Sequence, residues 1–130
     1  MKELDLAKFA LFLLIGLVAK HFVADYAMQS AWIIKGKRNF LKLGGYLHAG
    51  IHAVGTILVF VVFAIPTKLL WGLVVTEFFI HYLIDFMKEN IGAGISSDAK
   101  PRMFWAINGF DQLLHHLTYI VLVFVVVHNL

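Results

Sequence analysis

Apolar residues are grouped in four long runs along the chain, and short polar segments separate these runs. The runs cover about residues 6–28, 45–65, 68–88 and 103–127. A helix needs roughly 20 mostly apolar residues to cross a bilayer, whereas the strands of a membrane barrel alternate in polarity over roughly 10 residues. The pattern therefore predicts an all-α integral membrane protein in which residues 1–130 form a single transmembrane domain of four helices.

The composition agrees with a membrane location. Hydrophobic residues make up 61% of the chain and charged residues 15%, against the ~25% of charged residues that is usual in soluble domains. The chain has no cysteine, which excludes disulfides and thiolate ligands. The net charge of +3 is small, and the basic residues flank the apolar runs, so we predict no nucleic-acid partner.

The connections between the runs predict an up-down-up-down four-helix bundle, and the basic residues indicate its orientation. An even number of spans places the loops after the first and third helices on the same side of the membrane. Seven basic residues lie in or beside these loops and three lie on the opposite side: Lys35, Lys37, Arg38, Lys42, Lys88, Lys100 and Arg102 against Lys2, Lys8 and Lys68. Because cytoplasmic loops carry an excess of Lys and Arg, we expect both loops to be cytoplasmic and both termini to be outside.

The loop after the first run mixes aromatic and basic residues. Its sequence W-I-I-K-G-K-R-N-F-L-K-L covers residues 32–43. This mixture is typical of a segment that lies on the membrane surface and contacts anionic headgroups. We expect these contacts through Lys35, Lys37, Arg38 and Lys42; the alternative is an ordinary basic cytoplasmic loop.

Each predicted helix carries two polar residues four positions apart, a spacing that places both on one helical face. The pairs are His21 and Asp25, His48 and His52, His81 and Asp85, and Asp111 and His115. In an up-down-up-down bundle the helix ends that hold these pairs share one side of the membrane. At 1.5 Å per residue, most of the pairs lie roughly 5 to 12 Å below that surface. We therefore expect a polar His/Asp layer near one membrane face.

Energy considerations connect this layer with metal ions. A charged residue inside a spanning helix costs roughly 2.5 to 3.5 kcal/mol on insertion scales, so Asp25, Asp85 and Asp111 are not expected to stay ionised and unpaired. The only deep basic residue is Lys20. It is adjacent to His21 in the sequence, so its side chain points about 100° away from that of His21 around the helix axis. Divalent metal ions would supply the positive charge that compensates these aspartates. A set of histidine nitrogens and carboxylate oxygens suits zinc, iron or manganese.

The eight paired residues are thus the predicted metal ligands: His21, Asp25, His48, His52, His81, Asp85, Asp111 and His115. Zinc takes three or four protein ligands, so eight residues suit one or two divalent ions, with zinc favoured. Asp25, Glu77 and Asp111 are the candidates for acid–base catalysis, although Glu77 fits a protonated, hydrogen-bonded carboxylic acid equally well. Gln29 and Gln112 suit either a contact to substrate or a ligand, or a plain interfacial position.

These polar motifs carry a resemblance to known proteins. The matching residues are an H-F-V-A-D-Y-x-x-Q motif at residues 21–29, Trp32, Lys35, His48, an H-x-x-x-D motif at residues 81–85 and a D-Q-x-x-H motif at residues 111–115. Over almost its whole length the chain resembles a family of small bacterial and phage-borne inner-membrane proteins of unknown function, which implies the bacterial inner membrane. Its layout is similar to that of inner-membrane metal-dependent hydrolases. H-x-x-x-H at residues 48–52 and Q-x-x-H-H at residues 112–116 are similar to two histidine boxes of membrane di-iron desaturases and hydroxylases.

The leading hypothesis is a membrane-embedded, metal-dependent hydrolase in which an activated water attacks an ester or phosphoester. Because the polar layer lies near basic loops, we expect a lipid or lipid-phosphate substrate at the cytoplasmic interface. A proton or metal-ion transport module is an alternative, although the outer halves of the first three runs are almost purely apolar. A di-iron membrane oxidase, a haem protein and a polar network without chemistry stay open. A homo-oligomer also stays open, because glycines along the helices permit close packing.

Overall fold

The computed structural model describes residues 3–130, and four long helices and one short helix account for most of them. The helices are α1 (Glu3–Tyr26), α2 (Ala31–Gly36), α3 (Leu43–Val62), α4 (Thr67–Ile91) and α5 (Pro101–His128). The described residues contain no strand. The four long helices are each long and apolar enough to cross a membrane. The predicted all-α, four-helix membrane bundle is confirmed.

The long helices begin and end within three residues of the predicted positions, and local chemistry explains several of these ends. α3 ends where Ala64 adopts a left-handed conformation with φ of 52°, and the Ile65 N–H closes the helix by donating to the Phe60 carbonyl at 2.9 Å. The next residue, Pro66, precedes α4 as its N-cap. Pro101 begins α5, a position where its missing N–H costs nothing.

The four long helices form a closed ring. α1 packs against α3 and α5, α4 also packs against α3 and α5, and α2 lies on α3. Consecutive long helices are joined by connections that reverse the chain direction, as the up-down-up-down topology requires. The ring encloses one interior, which all four helices line.

This interior has an apolar half and a polar half. The apolar half is formed by the first part of α1 and α4 and the last part of α3 and α5, with Leu13, Leu17, Phe60, Leu122 and Val126 among its buried residues. The opposite half holds the buried histidines and carboxylates. The outer surface is largely apolar, with about 60% exposure at Phe22, Phe79 and Phe110, for example. A surface of this kind is stable against lipid rather than against water.

Candidate metal centre

All eight predicted ligand residues lie together in the polar half of the bundle. Seven are buried, and only Asp25 is half-buried. Their donor atoms fall into overlapping groups that could hold a metal ion, and these groups comprise His21, Asp25, His48, His52, His81, Asp85, Asp111 and His115. Because each long helix contributes one i, i+4 pair from its inward face, four helices suffice to build the cluster.

The first donor group comprises Asp25, His48, His52 and His81. Their donor atoms all lie within 4.8 Å of one another. Asp25 Oδ1 is 3.1 Å from His48 Nε2 and also 3.1 Å from His52 Nε2. The group therefore offers three imidazole nitrogens and one carboxylate oxygen close together, and four is the number of ligands that a tetrahedral metal ion takes.

The second donor group comprises Asp85, Asp111 and His115, and its donor atoms again lie within 4.8 Å of one another. His115 Nε2 is 3.4 Å from Asp85 Oδ1 and 3.5 Å from Asp111 Oδ1. Two carboxylates and one imidazole form this group, so it offers fewer protein ligands than the first group. A metal ion held here would keep coordination positions free for water or substrate.

Asp85 joins the two groups. Its Oδ1 faces His115 in the second group, whereas its Oδ2 lies 3.4 Å from both His48 Nε2 and His81 Nε2 in the first group. The two oxygens of one carboxylate thus point at different sets of ligands. Asp85 could therefore contribute to an ion in either group, and its Oδ2 is also paired with Lys37 at 2.8 Å.

The distances between donor atoms are compatible with metal coordination. Two ligands that each lie about 2.1 Å from a tetrahedral ion are about 3.4 Å apart. His48 Nε2 and His81 Nε2 lie 3.1 to 3.4 Å from aspartate oxygens, but neither nitrogen has a hydrogen-bond partner among the described residues. Unpartnered polar atoms at this depth are costly. A metal ion coordinated by this group would satisfy both nitrogens at once.

His21 differs from the other histidines because hydrogen bonds already occupy both ring nitrogens. Its Nδ1 is 2.9 Å from the hydroxyl of Tyr119, and its Nε2 is 3.2 Å from Gln112 Oε1 and 3.1 Å from Asp25 Oδ2. Gln112 Nε2 also donates to Asp25 Oδ2 at 3.3 Å and to Asp111 Oδ2 at 3.2 Å. His21 and Gln112 are thus placed to orient the aspartates as well as to contact an ion.

A cavity of about 300 Å³ leads from the cluster toward the end of the bundle where α2 and the α4–α5 loop lie. Asp25, Asp85 and Asp111 line its inner part, and Lys37 and Lys88 add positive charge to its wall. A volume near 300 Å³ is at the lower end of the range for small-molecule sites. The cluster is therefore buried but accessible from one side.

The sequence model of one protein family matches residues 12–130, which include the last 15 residues of α1 and the whole of the other helices. The chain belongs to the DUF3307 family. The family is described as a protein of unknown function, and the resemblance to such a family is confirmed. Searches of curated proteins and of solved structures found no match.

Lys37 is a cluster residue of this DUF3307 protein that the sequence did not indicate. It was predicted to contact headgroups with its neighbours in the loop, but it is only 5% exposed. Its ammonium lies 2.8 Å from Asp85 Oδ2 and also contacts the Gln29 side chain. The nearby Gly36 explains this position, because a Cβ there would be 2.6 Å from the Gly44 Cα. Only glycines allow α2 to approach α3 closely enough to insert the lysine.

Lys20 and Glu77 form a second feature that sequence reasoning missed. Their side chains are paired and are 8% and 1% exposed, respectively. Lys20 Nζ also donates to the His52 carbonyl at 3.1 Å and lies 4.8 Å from the centre of the Tyr119 ring. Glu77, predicted to be either a catalytic base or a protonated acid, is thus the partner of a cation one turn from His81. The two residues are 57 positions apart in the chain, so no local pattern reveals the pair.

Proposed function

We propose that this DUF3307 protein is a membrane-embedded metalloenzyme that binds two divalent ions, with zinc favoured, and hydrolyses an ester or phosphoester of a membrane lipid. The single observation that carries the proposal is the pair of donor groups joined by Asp85 at the inner end of a cavity. A purely structural polar network has no need for side-chain nitrogens that lie close together without hydrogen bonds.

The charge of the cluster supports divalent ions. Among the described residues, Lys37 is the only lysine or arginine that pairs with one of the three aspartates, since Lys20 pairs with Glu77. With neutral histidines, two negative charges are left without compensation inside the membrane, where burying charge is costly. One divalent ion would neutralise the cluster. A second would make it positive and attractive to an anionic substrate.

The ligand types support zinc, with manganese or iron as alternatives. Three histidines and one aspartate in the first group suit a tetrahedral zinc ion. The second group is richer in oxygen and also suits manganese or iron. Its smaller number of protein ligands makes the second group the better candidate for the reacting centre.

The residues around the cavity have complementary roles in the proposed reaction. A divalent ion in the second group would supply a water nucleophile at neutral pH and polarise the oxygen under attack. Asp111 lines the cavity, and its Oδ1 has no hydrogen-bond partner among the described residues, so this oxygen is available to hold the ion. Gln112 holds Asp111 and Asp25 in position. Lys37 and Lys88 attract an anionic group into the cavity.

The loop end of the bundle supports a substrate at the membrane surface. Trp32 and Phe40 are 59% and 51% exposed beside the exposed Lys35, Arg38 and Lys42. Aromatic and basic side chains in this combination suit the headgroup layer. We propose that this layer is the cytoplasmic surface of the bacterial inner membrane and that anionic headgroups contact these three basic residues.

Hydrolysis by purified protein in lipid vesicles tests the proposal. Vesicles containing phosphatidic acid and phosphatidylglycerol provide phosphomonoester, phosphodiester and carboxylic ester bonds, and released phosphate and fatty acid are measured separately. We expect metal-dependent release that His48→Ala/His81→Ala abolishes and that Lys68→Ala, a change at an exposed residue in the first turn of α4, leaves intact. Metal-loaded, folded protein that releases neither product from any of these lipids would overturn the proposal.

The position of Asp85 between the two donor groups also favours one alternative, a di-iron membrane oxidase. Carboxylates from facing helices hold di-iron centres in other helical bundles. Iron as the metal that copurifies, with optical absorption in the visible range, would favour an oxidase over a zinc-dependent hydrolase.

The apolar half of the bundle does not favour the transport alternative. Among the described residues, its interior is filled by Leu13, Leu17, Phe60 and Val126, which leave no polar path across it.

A further inference from the structure

Lys88 stands at the meeting point of three cavities. It lines the cavity that leads to the cluster, an apolar groove between α4 and α5, and a third cavity at the bundle end beside Arg38 and Glu89. Its side chain is 27% exposed, and its ammonium lies 2.9 Å from Glu89 Oε1. One flexible cation thus connects the candidate metal centre, the lipid-facing side and the membrane surface.

The groove between α4 and α5 is apolar and lies on the outside of the bundle. Its volume is about 290 Å³, and its apolar lining includes Ile84, Met87, Ile91, Ile107, Phe110 and Leu114. The stripe on α4 from residue 84 to residue 91 extends over about 10 Å at 1.5 Å per residue. Since α4 and α5 are spanning helices, the groove faces the hydrocarbon of the bilayer.

The groove adjoins the cavity of the metal centre. Both are lined by Lys88 and by Asp111, a member of the second donor group. A molecule in the groove therefore has one end in hydrocarbon and the other beside the predicted reacting centre. The positive charge of Lys88 and Arg38 at this end complements an anionic group.

We propose that the α4–α5 groove is the binding site for an acyl chain of an anionic phospholipid, and that Lys88 selects the lipid by contacting its phosphate. This inference rests on the proposed function, since it assigns the substrate class and the route by which the substrate reaches the centre. The lipid moves sideways from the bilayer between α4 and α5. Its phosphate replaces Glu89 as the partner of Lys88 and thereby lies at the mouth of the cavity.

A second groove serves as the control site. It lies between α1 and α3, has a volume of about 670 Å³ and is lined by apolar residues together with Lys20. None of the three cluster aspartates lines it, and Lys20 is already paired with Glu77. Gly50 lies in this groove, and a Cβ added there would meet no atom within 4 Å. The Cβ of Gly50→Leu therefore has open space, and the rest of the side chain reduces the volume of the control groove.

Native mass spectrometry of the metal-loaded, full-length protein in detergent tests the inference, because it counts bound lipids without requiring turnover. The probes are dioleoyl phosphatidic acid, dioleoylglycerol and inorganic phosphate. We expect one phosphatidic acid per chain in the wild type and in Gly50→Leu. We expect about tenfold weaker binding in Lys88→Gln, the effect of losing roughly one charge-assisted contact. We expect weaker binding also in Ala106→Trp, because the larger side chain occupies the groove. Retained metal content shows that the variants are folded.

Four outcomes would overturn the inference. They are wild-type affinity in both Lys88→Gln and Ala106→Trp, equal binding of dioleoylglycerol, full displacement of the lipid by inorganic phosphate, and loss of binding in Gly50→Leu alone. A second copy of the chain bound at the groove in place of lipid would appear as a dimer that Ala106→Trp disrupts, and this would also overturn it. Binding as expected without hydrolysis would overturn the proposed function but leave the lipid site standing.

Discussion

At the scale of single residues, Asp85 has polar partners on both of its carboxylate oxygens. Its carboxylate faces His48, His81 and His115 at 3.4 Å each and Lys37 at 2.8 Å. Each of these contacts comes from a different part of the chain. Because Oδ2 faces the first donor group and Oδ1 belongs to the second, removal of the charge at Asp85 affects both groups.

We therefore predict that Asp85→Asn lowers the bound metal of purified protein by more than half. The amide keeps the size of the side chain but has no negative charge to hold an ion or to pair with Lys37. Elemental analysis against protein concentration provides the measurement. Asp98→Asn is the matched control, because Asp98 is exposed in the α4–α5 loop. Equal metal content in both variants would show that Asp85 is not a shared ligand.

The buried pair of Lys20 and Glu77 leads to a second prediction at this scale. Removing one partner of a buried ion pair leaves an uncompensated charge and typically costs about 3 to 5 kcal/mol. We expect Lys20→Met to lower the free energy of unfolding by about this amount, and Lys20→Met/Glu77→Leu to recover most of it. Denaturant unfolding in detergent, followed by circular dichroism, measures both values. A double variant less stable than Lys20→Met would show that the pair contributes more than charge compensation.

At the scale of elements, the short helix α2 has a larger role than its six residues suggest. The Ser30 hydroxyl caps its beginning by accepting from the Ile33 N–H, and its last residue, Gly36, packs against Gly44 of α3. This contact inserts the following residue, Lys37, into the cluster. The position of α2 therefore determines part of the charge of the candidate metal centre.

We predict that Gly36→Ala lowers both the stability of the protein and its rate of lipid hydrolysis. The added Cβ would lie 2.6 Å from Gly44 Cα, a backbone atom that cannot rotate away. Overpacking of this kind typically costs about 1 to 3 kcal/mol, and the shift of α2 withdraws Lys37 from Asp85. Thermal unfolding and lipid hydrolysis provide the readouts. Gly50→Ala is the control, since its Cβ meets no atom within 4 Å and alanine favours a helix by about 1 kcal/mol over glycine.

The elements also show which features a sequence can reveal. Four apolar runs of sufficient length predict four spanning helices, and the i, i+4 spacing within each run predicts which side chains share a face. The cluster follows from these two regularities. α2 is too short for a periodic pattern. The burial of Lys37 depends on the approach of Gly36 to Gly44, and the pairing of Lys20 with Glu77 depends on two separate helices, so neither is visible in the local sequence.

At the scale of the whole molecule, we predict that both termini lie outside the cell membrane and that the two longer loops are cytoplasmic. The chain has no cysteine, so single cysteines can be introduced without background labelling. We expect Asn129→Cys to react with a membrane-impermeant maleimide on intact cells, and Ser97→Cys in the α4–α5 loop to react only after the membrane is opened. The reason is the excess of Lys and Arg around the two longer loops. Labelling of Ser97→Cys on intact cells would show that the orientation is the opposite of the predicted one.

The metal content of the whole protein tests the central claim most directly. The wild type and His48→Ala/His81→Ala, purified in detergent without chelator, are compared by elemental analysis, and circular dichroism confirms that both are helical. We expect about two divalent ions per wild-type chain, one for each donor group, and at most half of that in the variant, which loses two ligands of the first group. Wild-type protein that is folded and metal-free, even after dialysis against zinc, manganese and iron(II), would contradict the account.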